Sequence, residues 1–254
     1  MKTSNHLLRR LTAALLAAVL ALSIALPVFA SDDGDTIYIN SVSDLLSLAR
    51  NCAYDQWSVG KTVILQKDLS LEGMLWEPIP SFSGQFKGNG HTISDLTITG
   101  QYSPAGLFGI VEEQGSIESL SVRGIVSVSD SADTTTGGIV GINHGTLINC
   151  QFTGVVTGDS EVGGIVGRNE SEGTIDHSTA RAIVTGKSST GGIAGYNLGA
   201  ITGCTNVGSI NTEYQEASLD TDGFTAKMVD QINNKMAAAD DDATNSVTNV
   251  ATDT

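Results

Sequence analysis

The residues best placed to do chemistry in this sequence are Asp176, His177 and Arg181, which lie close together in the chain. A carboxylate and an imidazole can exchange protons with a substrate, and a guanidinium beside them can bind an acidic sugar. The trio therefore supports one hypothesis, a carbohydrate-active enzyme of the polysaccharide lyase or hydrolase type. A related alternative is that the chain is the substrate-binding region of a longer secreted enzyme. The competing hypothesis is that the three side chains are ordinary solvated residues of a structural protein.

Other catalytic and ligand-binding motifs are missing from the sequence or incomplete. It contains no HExxH zinc-peptidase motif and no GxSxG nucleophile elbow. Residues 60–62 (GKT) end like a phosphate-binding loop, but Asp55 stands where that loop requires its first glycine. Residues 220–223 resemble part of a calcium loop without its remaining oxygen ligands, and His91 is interpreted as a turn or surface residue. We therefore predict no catalytic, cofactor-binding or metal-binding residues and no enzymatic activity.

The elements that must position any such residues are arranged as a repeat. The phrase GGIVGINHGTLINC starts at Gly137, GGIVGRNESEGTIDHS at Gly163 and GGIAGYNLGAITGC at Gly191, and a fainter copy starts at Gly106. The offsets between successive full copies are 163 − 137 = 26 and 191 − 163 = 28 positions. Repeats of this length indicate a solenoid, in which each unit buries its apolar face only by stacking on its neighbours.

Each repeat is predicted to be a set of strands. Glycines interrupt the units every few residues, and Ile, Val and Thr are abundant between them. Alternate residues from Cys150 to Val156 follow the period of two of a strand with one buried face, whereas the spacing of three between Leu147 and Cys150 indicates a corner near Asn149. The sequence therefore predicts an all-β fold, a right-handed parallel β-helix with three strands per rung and rungs about 4.8 Å apart.

A glycine column and an asparagine column recur in every aligned repeat. We predict that the glycines sit where the chain turns with φ > 0, which only glycine adopts without steric cost. We predict that the asparagines form a stacked amide ladder or occupy left-handed turn positions. The columns contain Gly137, Gly163 and Gly191, and Asn143, Asn169 and Asn197.

The same alignment bears on the candidate catalytic trio. Asp176 aligns with Glu118, Ile148 and Thr202, and His177 aligns with residues that are not acidic. Adjacent rungs therefore do not build the acidic cluster that a β-helix lyase or hydrolase needs. The structural hypothesis is favoured.

The repeat resembles a known motif. The combination GG-[IL]-[VA]-G-x-N followed by G-[TA]-[IL] is similar to the GLUG motif of bacterial secreted and surface proteins, including some immunoglobulin A peptidases and adhesin-like proteins. FxGxGHTI at 86–93 also resembles the entry rungs of such proteins. The resemblance spans three full copies and one partial copy and implies an exported protein with a β-helix fold. It implies no activity.

The first 30 residues are predicted to be a signal peptide. Lys2, Arg9 and Arg10 precede an apolar run at 11–26, and the residues before position 31 resemble a cleavage site. Cleavage would change the net charge from −15 to (13 − 3) − 28 = −18, which disfavours nucleic acid as a partner. We predict an extracellular protein, secreted or on the cell surface, with no membrane insertion after cleavage. Its partner would be an unknown extracellular glycan or protein, bound by an adhesion or structural module.

Four segments are predicted along the mature chain. Residues 31–58 hold a strand and an amphipathic helix that begins at Ser41 or Ser43 and covers the open end of the solenoid. The β-helix extends over 59–212, with a polar loop at 127–136 that could carry a binding surface. Residues 213–254 hold an amphipathic helix at 224–239 that could cap the last rung, followed by an acidic segment predicted to be disordered.

The three cysteines are predicted to be free thiols. Cys150 and Cys204 share a column two rungs apart, about 9.6 Å, whereas a disulfide requires Cα atoms within about 7 Å. Ser178 lies between them in that column. We expect both thiols to be buried. A thiol reagent should therefore label Cys52 at most in the native protein.

Overall fold

The computed structural model describes residues 35–54, 56–128 and 134–211. The predicted signal peptide, the predicted C-terminal helix and acidic segment, and residues 220–223 lie outside the described residues. In chain order the elements are β1 (Thr36–Ile39), α1 (Val42–Asn51), β2 (Thr62–Leu65), β3 (Leu69–Ser70), β4 (Ile79–Phe82), β5 (Gln85–Lys87), β6 (Thr92–Gly100), β7 (Phe108–Val111), β8 (Ser116–Glu118), β9 (Ser121–Val128), β10 (Thr135–Gly137), β11 (Val140–Asn143), β12 (Thr146–Ile148), β13 (Gln151–Thr157), β14 (Glu161–Gly163), β15 (Val166–Asn169), β16 (Thr174–Asp176), β17 (Thr179–Thr185), β18 (Thr190–Gly191), β19 (Ala194–Asn197), β20 (Ala200–Thr202), β21 (Thr205–Asn206) and β22 (Ser209–Ile210).

The strands form four parallel sheets that run along the solenoid. Sheet A has the order β1-β2-β5-β8-β12-β16-β20, and sheet B has the order β3-β6-β9-β13-β17-β21 with β22 also paired to β17. Sheet C has the order β4-β7-β11-β15-β19, and sheet D contains β10, β14 and β18. Each strand pairs with its counterpart one rung away, which confirms the predicted parallel β-helix, of about six turns.

Each complete repeat contributes four strands rather than the predicted three. In the repeat that begins at Thr146, these are β12, β13, β14 and β15. The prediction of three was wrong because the segment around the glycine pair at 163–164 forms two strands, β14 before the pair's second glycine and β15 after it. These two strands lie in different sheets, D and C.

Strand pairing between rungs follows the offsets of the sequence repeat. Asn143 pairs with Asn169 and Asn169 with Asn197, at offsets of 26 and 28 positions. The two additional residues lie in the longer corner at 170–173 (ESEG), where the neighbouring rungs have shorter corners. The register confirms that one repeat forms one rung.

Inward-facing residues of all rungs form one apolar core. Leu147 and Ile175 pair in sheet A, and both are fully buried, as are Phe152 and Ala180 in sheet B. The largest side chains lie in the early rungs, where the rings of Phe82, Phe86 and Phe108 contact one another at centroid distances of 5.4 to 6.3 Å. The contacts between aromatic rings in the core are therefore concentrated in the early rungs, although Phe152 also lies in the core further along the axis.

Helix α1 closes the N-terminal end of this core. Ser41, one of the two predicted candidates, is the N-cap, and its hydroxyl accepts a hydrogen bond from the backbone N–H of Asp44. Leu45 and Leu48 are buried in the core, and the helix contacts β1 and β4. Ile39 in the first strand is consequently fully buried, although its sheet has no further strand on that side among the described residues.

The predicted corner near Asn149 is a column of left-handed residues. Ser119, Asn149, His177 and Gly203 have φ values of 54°, 52°, 46° and 63°. Each lies between a strand of sheet A and one of sheet B. The left-handed conformation turns the chain sharply at this point, which explains the broken alternation between Leu147 and Cys150.

The three cysteines are free and buried. Cys150, Cys204 and Cys52 are 1%, 7% and 4% exposed. The backbone N–H of Cys150 donates to the hydroxyl of Ser178 (3.1 Å), and the backbone N–H of Ser178 lies 3.4 Å from the sulfur of Cys204. These contacts confirm that Ser178 lies between the two cysteines, which are two rungs apart as predicted. Burial raises the pKa of the Cys52 thiol to about 11 and that of Cys150 to about 12.

We expect a thiol reagent to label none of the cysteines in the native protein near neutral pH and all three after denaturation. Burial blocks the reagent, and the raised pKa values leave little reactive thiolate. Peptide mapping after labelling measures both states, with the denatured protein as the control. A disulfide between Cys150 and Cys204 in non-reducing peptide maps would contradict the rung register.

Candidate functional site

The first position of each GG pair needs glycine because a Cβ atom there would clash with neighbouring atoms. Its φ angle is not the reason. Gly137, Gly163 and Gly191 do not have a positive φ, so the predicted left-handed turn is wrong. A Cβ on Gly163 would overlap the carbonyl oxygen of Val166 and lie 2.7 Å from the backbone nitrogen of Gly195. Here the chain folds tightly from sheet D into sheet C, and only a hydrogen fits between the two backbones.

Two further glycine columns allow similar close approach. The second glycine of the pair faces the core, where a Cβ on Gly138 would overlap the ring of Phe152. The glycine before x-N lies against sheet D of the preceding rung, so that a Cβ on Gly167 would be 2.6 Å from the backbone nitrogen of Thr136. The GG-x-x-G spacing is thus explained by the packing of sheets C and D.

The asparagine column forms the predicted amide ladder. The side-chain amide of Asn143 donates to the side-chain oxygen of Asn169 (2.7 Å), and Asn169 donates in the same way to Asn197 (2.8 Å). Each amide also donates to the carbonyl of the glycine immediately before the next strand, as Asn169 does to Gly173 (3.2 Å). Asn143 and Asn169 are fully buried, so these side chains hold the rungs together and are closed to ligands.

The structure brings Asp176 and His177 into contact at the corner between sheets A and B. The Nδ1 atom of His177 lies 2.8 Å from Oδ1 of Asp176, and the imidazole side chain is 64% exposed. Arg181 lies on β17, where it pairs with Thr153 of the preceding rung. The contact is a surface pair of adjacent residues, and such pairs stabilise a fold little.

The column that contains Asp176 holds no second acid beside it. Asp176 pairs with Ile148 on one side and Thr202 on the other, as the repeat alignment predicts. The paired carboxylates that glycoside hydrolysis commonly uses are therefore missing from these neighbouring positions. In the described part of the chain, no group of three or more His, Cys, Asp or Glu side chains is arranged to hold a metal ion.

His91 has a partner that the sequence does not reveal. Its Nδ1 atom lies 3.2 Å from Oδ1 of Asp68, and the same carboxylate oxygen accepts a hydrogen bond from the backbone N–H of Thr92. The Thr92 N–H and the His91 ring hold the pKa of Asp68 below its usual range. The histidine is a surface residue, as predicted, and the pair connects two successive rungs.

The predicted polar loop at 127–136 is shorter than expected. Strand β9 continues to Val128 and β10 begins at Thr135, so only residues 129–133 between them lie outside the described residues. The buried hydroxyl of Thr134 accepts hydrogen bonds from the backbone N–H groups of Asp159 and Ser160. These threonines belong to the solenoid and not to a loop.

The outer face of sheet C carries a column of half-buried side chains, which we call the outer strip. Ile110 pairs with Ile142, Ile142 with Arg168, and Arg168 with Tyr196, on four successive rungs. All four side chains are intermediate in exposure. The strip therefore presents apolar, cationic and aromatic groups in one line along the solenoid axis.

Arg168 is held rigidly within the outer strip. Its Nη1 and Nε atoms lie 2.7 Å from Glu161 and 2.6 Å from Glu170, and its guanidinium carbon is 4.8 Å from the centre of the Tyr196 ring. Glu161 also accepts a hydrogen bond from the hydroxyl of Thr135 on the preceding rung (3.1 Å). The sequence prediction missed this cluster, although the repeat alignment places Arg168 and Tyr196 in one column.

Comparisons with known proteins identify the repeat. Halomucin of Haloquadratum walsbyi is 31% identical over 155 residues, which cover 56% of this chain and 2% of halomucin. A protein of Evansella cellulosilytica, provisionally named a Gly-rich membrane protein, is 29% identical over 137 residues, covering 39% of this chain and 16% of that protein. The chain spans only a small part of the curated relatives it matches. Because the first relative is archaeal, the predicted bacterial origin stays a prediction.

A solved structure and a family description complete the comparison. A protein from Bacteroides ovatus, provisionally assigned as an immunoglobulin A1 protease, matches with a TM-score of 0.45 and 16% identity, covering 80% of this chain and 86% of that one. The sequence profile of the GLUG motif matches residues 158–185. The resemblance seen in the repeat spacing is thereby confirmed: this segment of the chain is a GLUG motif.

Proposed function

We propose that this protein is a non-enzymatic β-helix, secreted or held at the cell surface, that binds an extracellular glycan or protein through the outer strip of sheet C. One observation carries the proposal. The polar side chains that recur in the repeat are bonded within the solenoid, whereas Ile110, Ile142, Arg168 and Tyr196 form a continuous half-buried column on its outside. Contiguous apolar groups on a surface commonly mark an interaction site.

The relatives support an extracellular location. One is named a halomucin and the other a Gly-rich membrane protein, and the apolar run near the N terminus of this chain fits an export signal. No helix in the described part of the chain has the length and apolar character that crossing a membrane would require. An adhesion or structural role follows from these observations as a proposal for this chain.

The outer strip suits a binding role because its groups are already ordered. The two ion pairs and the Tyr196 ring restrict the Arg168 guanidinium, so a ligand would lose little side-chain entropy on contact. Aromatic and arginine side chains are also those that most often dominate binding energy at interfaces. The strand pairing fixes the spacing of the four side chains at one rung each.

The test is a binding screen of residues 31–254 on a glycan array and against a panel of extracellular host and matrix proteins. We expect at least one ligand, and we expect Ile142→Ser and Tyr196→Ala each to weaken it about ten-fold or more, because each removes contact area from the strip. Leu75→Ala is the matched control, since Leu75 is 70% exposed but lies outside the strip. Equal binding by all variants, or no binding at all, would overturn the proposal.

A second candidate function is that of a carbohydrate-active enzyme. The observation that favours it is the contact between Asp176 and His177. The same purified protein should be incubated with acidic and neutral polysaccharides, with and without calcium. We expect no release of unsaturated or reducing ends. Release that disappears in Asp176→Ala would show that the protein is an enzyme at this corner and would refute the non-enzymatic proposal.

A further inference from the structure

A carboxylate is held at the first end of the outer strip. Ser81 is half-buried and pairs with Ile110, so that it lies one rung before the strip begins. Its hydroxyl donates a hydrogen bond to Oε1 of Glu112 (2.8 Å). The backbone N–H of Glu112 also donates to the carbonyl of Phe82 on the preceding rung (2.9 Å). The Glu112 carboxylate is therefore held at the Ile110 end of the strip.

Two more carboxylates are held further along, beside Arg168. Glu161 and Glu170 both accept from its guanidinium, and their side chains are still 17% and 21% exposed. Together with Glu112, three carboxylates stand against one guanidinium, which leaves two negative charges in excess when His144 is counted as neutral. The net charge of the whole chain, −15, has the same sign. The apolar pair in the strip therefore lies between carboxylates at both of its ends.

The strip is poorly suited to a sugar ligand. The Arg168 guanidinium covers one face of the Tyr196 ring at 4.8 Å, so that face is closed to a sugar ring. Both of its ion pairs are with glutamates of the same chain, which leaves little positive charge for an acidic sugar. Ile110 and Ile142 offer no hydrogen bonds to hydroxyl groups, and polar groups that lose water without a partner weaken binding. These features favour a ligand with apolar side chains.

We propose, on the basis of the binding role proposed above, that the outer strip receives a basic segment of another protein. Apolar side chains of that segment pack on Ile110 and Ile142. Its lysine or arginine side chains pair with Glu112 at one end and with the two carboxylates beside Arg168 at the other. Apolar contact supplies most of the affinity, and opposite charge steers the partner to the strip and excludes acidic ones.

The dimensions of the strip define the order of residues in such a segment. Ser81 and Arg168 are three rungs apart, which corresponds to about 14 Å. About four extended residues cover that length. A short segment with basic residues at its ends and apolar residues between them therefore matches the strip.

The probe is a synthetic peptide that contains the order Lys-Leu-Leu-Lys twice, and calorimetric titration into the full chain measures its binding. We expect saturable binding of this peptide and none of the version in which glutamate replaces each lysine. Glu112→Lys should weaken binding at least five-fold, because the reversed charge repels the peptide. Ile142→Ser should also weaken it. Glu72→Lys is the matched control, since Glu72 is exposed outside the strip and the change in net charge is the same; we expect less than a two-fold effect.

Four results would overturn the inference. They are no binding of the lysine peptide, equal or tighter binding of the glutamate peptide, binding of an acidic polysaccharide that Ile142→Ser weakens, and equal weakening by Glu72→Lys and Glu112→Lys. The last result would mean that the peptide follows the net charge of the protein and not the strip.

The failure of this inference can be told apart from failure of the proposed function. A ligand that Ile142→Ser weakens and Glu112→Lys does not would show that the strip binds without using its carboxylates. Circular dichroism checks that each variant is folded. If Glu112→Lys is not, Glu112→Gln repeats the comparison, because its side-chain oxygen can still accept from Ser81. Weakening of at least two-fold in that variant supports the inference, and unchanged binding refutes it.

Discussion

Gly163→Ala is expected to prevent folding or to lower the free energy of unfolding by more than about 3 kcal/mol. The added methyl group would overlap the carbonyl oxygen of Val166 and press on the backbone of Gly195 in the next rung. Neither is the end of a flexible side chain, so sheets C and D would have to separate. Urea denaturation followed by circular dichroism measures the change.

Gly73→Ala is the matched control for this substitution. Gly73 has a φ of 73°, and a Cβ placed there meets nothing within 4 Å. Alanine in the left-handed region costs about 1 to 2 kcal/mol, so we expect a smaller loss at Gly73 than at Gly163. Equal losses at the two positions would mean that backbone conformation, and not close packing of the sheets, accounts for the glycine.

Asn169→Ala is expected to lower the free energy of unfolding by about 3 kcal/mol. It removes the acceptor of Asn143 and the donors to Asn197 and to the carbonyl of Gly173. Each buried polar group left without a partner costs about 1 to 3 kcal/mol, although water entering the space left by the side chain would recover part of this. Chemical denaturation measures the loss.

Asn211→Gly provides the comparison for the ladder. Asn211 is exposed, its φ is 51°, and its side-chain oxygen accepts one hydrogen bond, from the backbone N–H of Gly186. Glycine adopts this φ without steric cost and water can replace the hydrogen bond, so we expect a loss below about 1 kcal/mol. A loss at Asn169 no larger than that at Asn211 would show that the amide ladder contributes little to stability.

The features that repeat could be predicted from the sequence. Alignment placed Cys150, Ser178 and Cys204 in one column, and the structure confirms that register. The asparagine ladder and the corner at Asn149 were accessible for the same reason. In a solenoid one translation relates successive units. Residues that are one repeat apart in the sequence are therefore in contact in the structure.

Features that depend on local sterics or on a single rung could not be predicted in this way. The role of Gly163 depends on how closely sheet C approaches sheet D. That distance cannot be derived from the spacing of residues in the sequence. The contact between His91 and Asp68 lies in rungs that do not share the repeat. Arg168 meets Glu161 and Tyr196 on the outside of the solenoid, where residue types vary from rung to rung.

Helix α1 has a consequence for the order in which the protein folds. A chain is synthesised from its N terminus, so α1 and β1 are available before any later rung. With that end covered, the single growing edge faces the part of the chain still to be made. Each new coil pairs with the one made just before it, so it needs only a short loop closure. Nucleation at one closed end would favour vectorial growth, with few opportunities for strands to pair out of sequence.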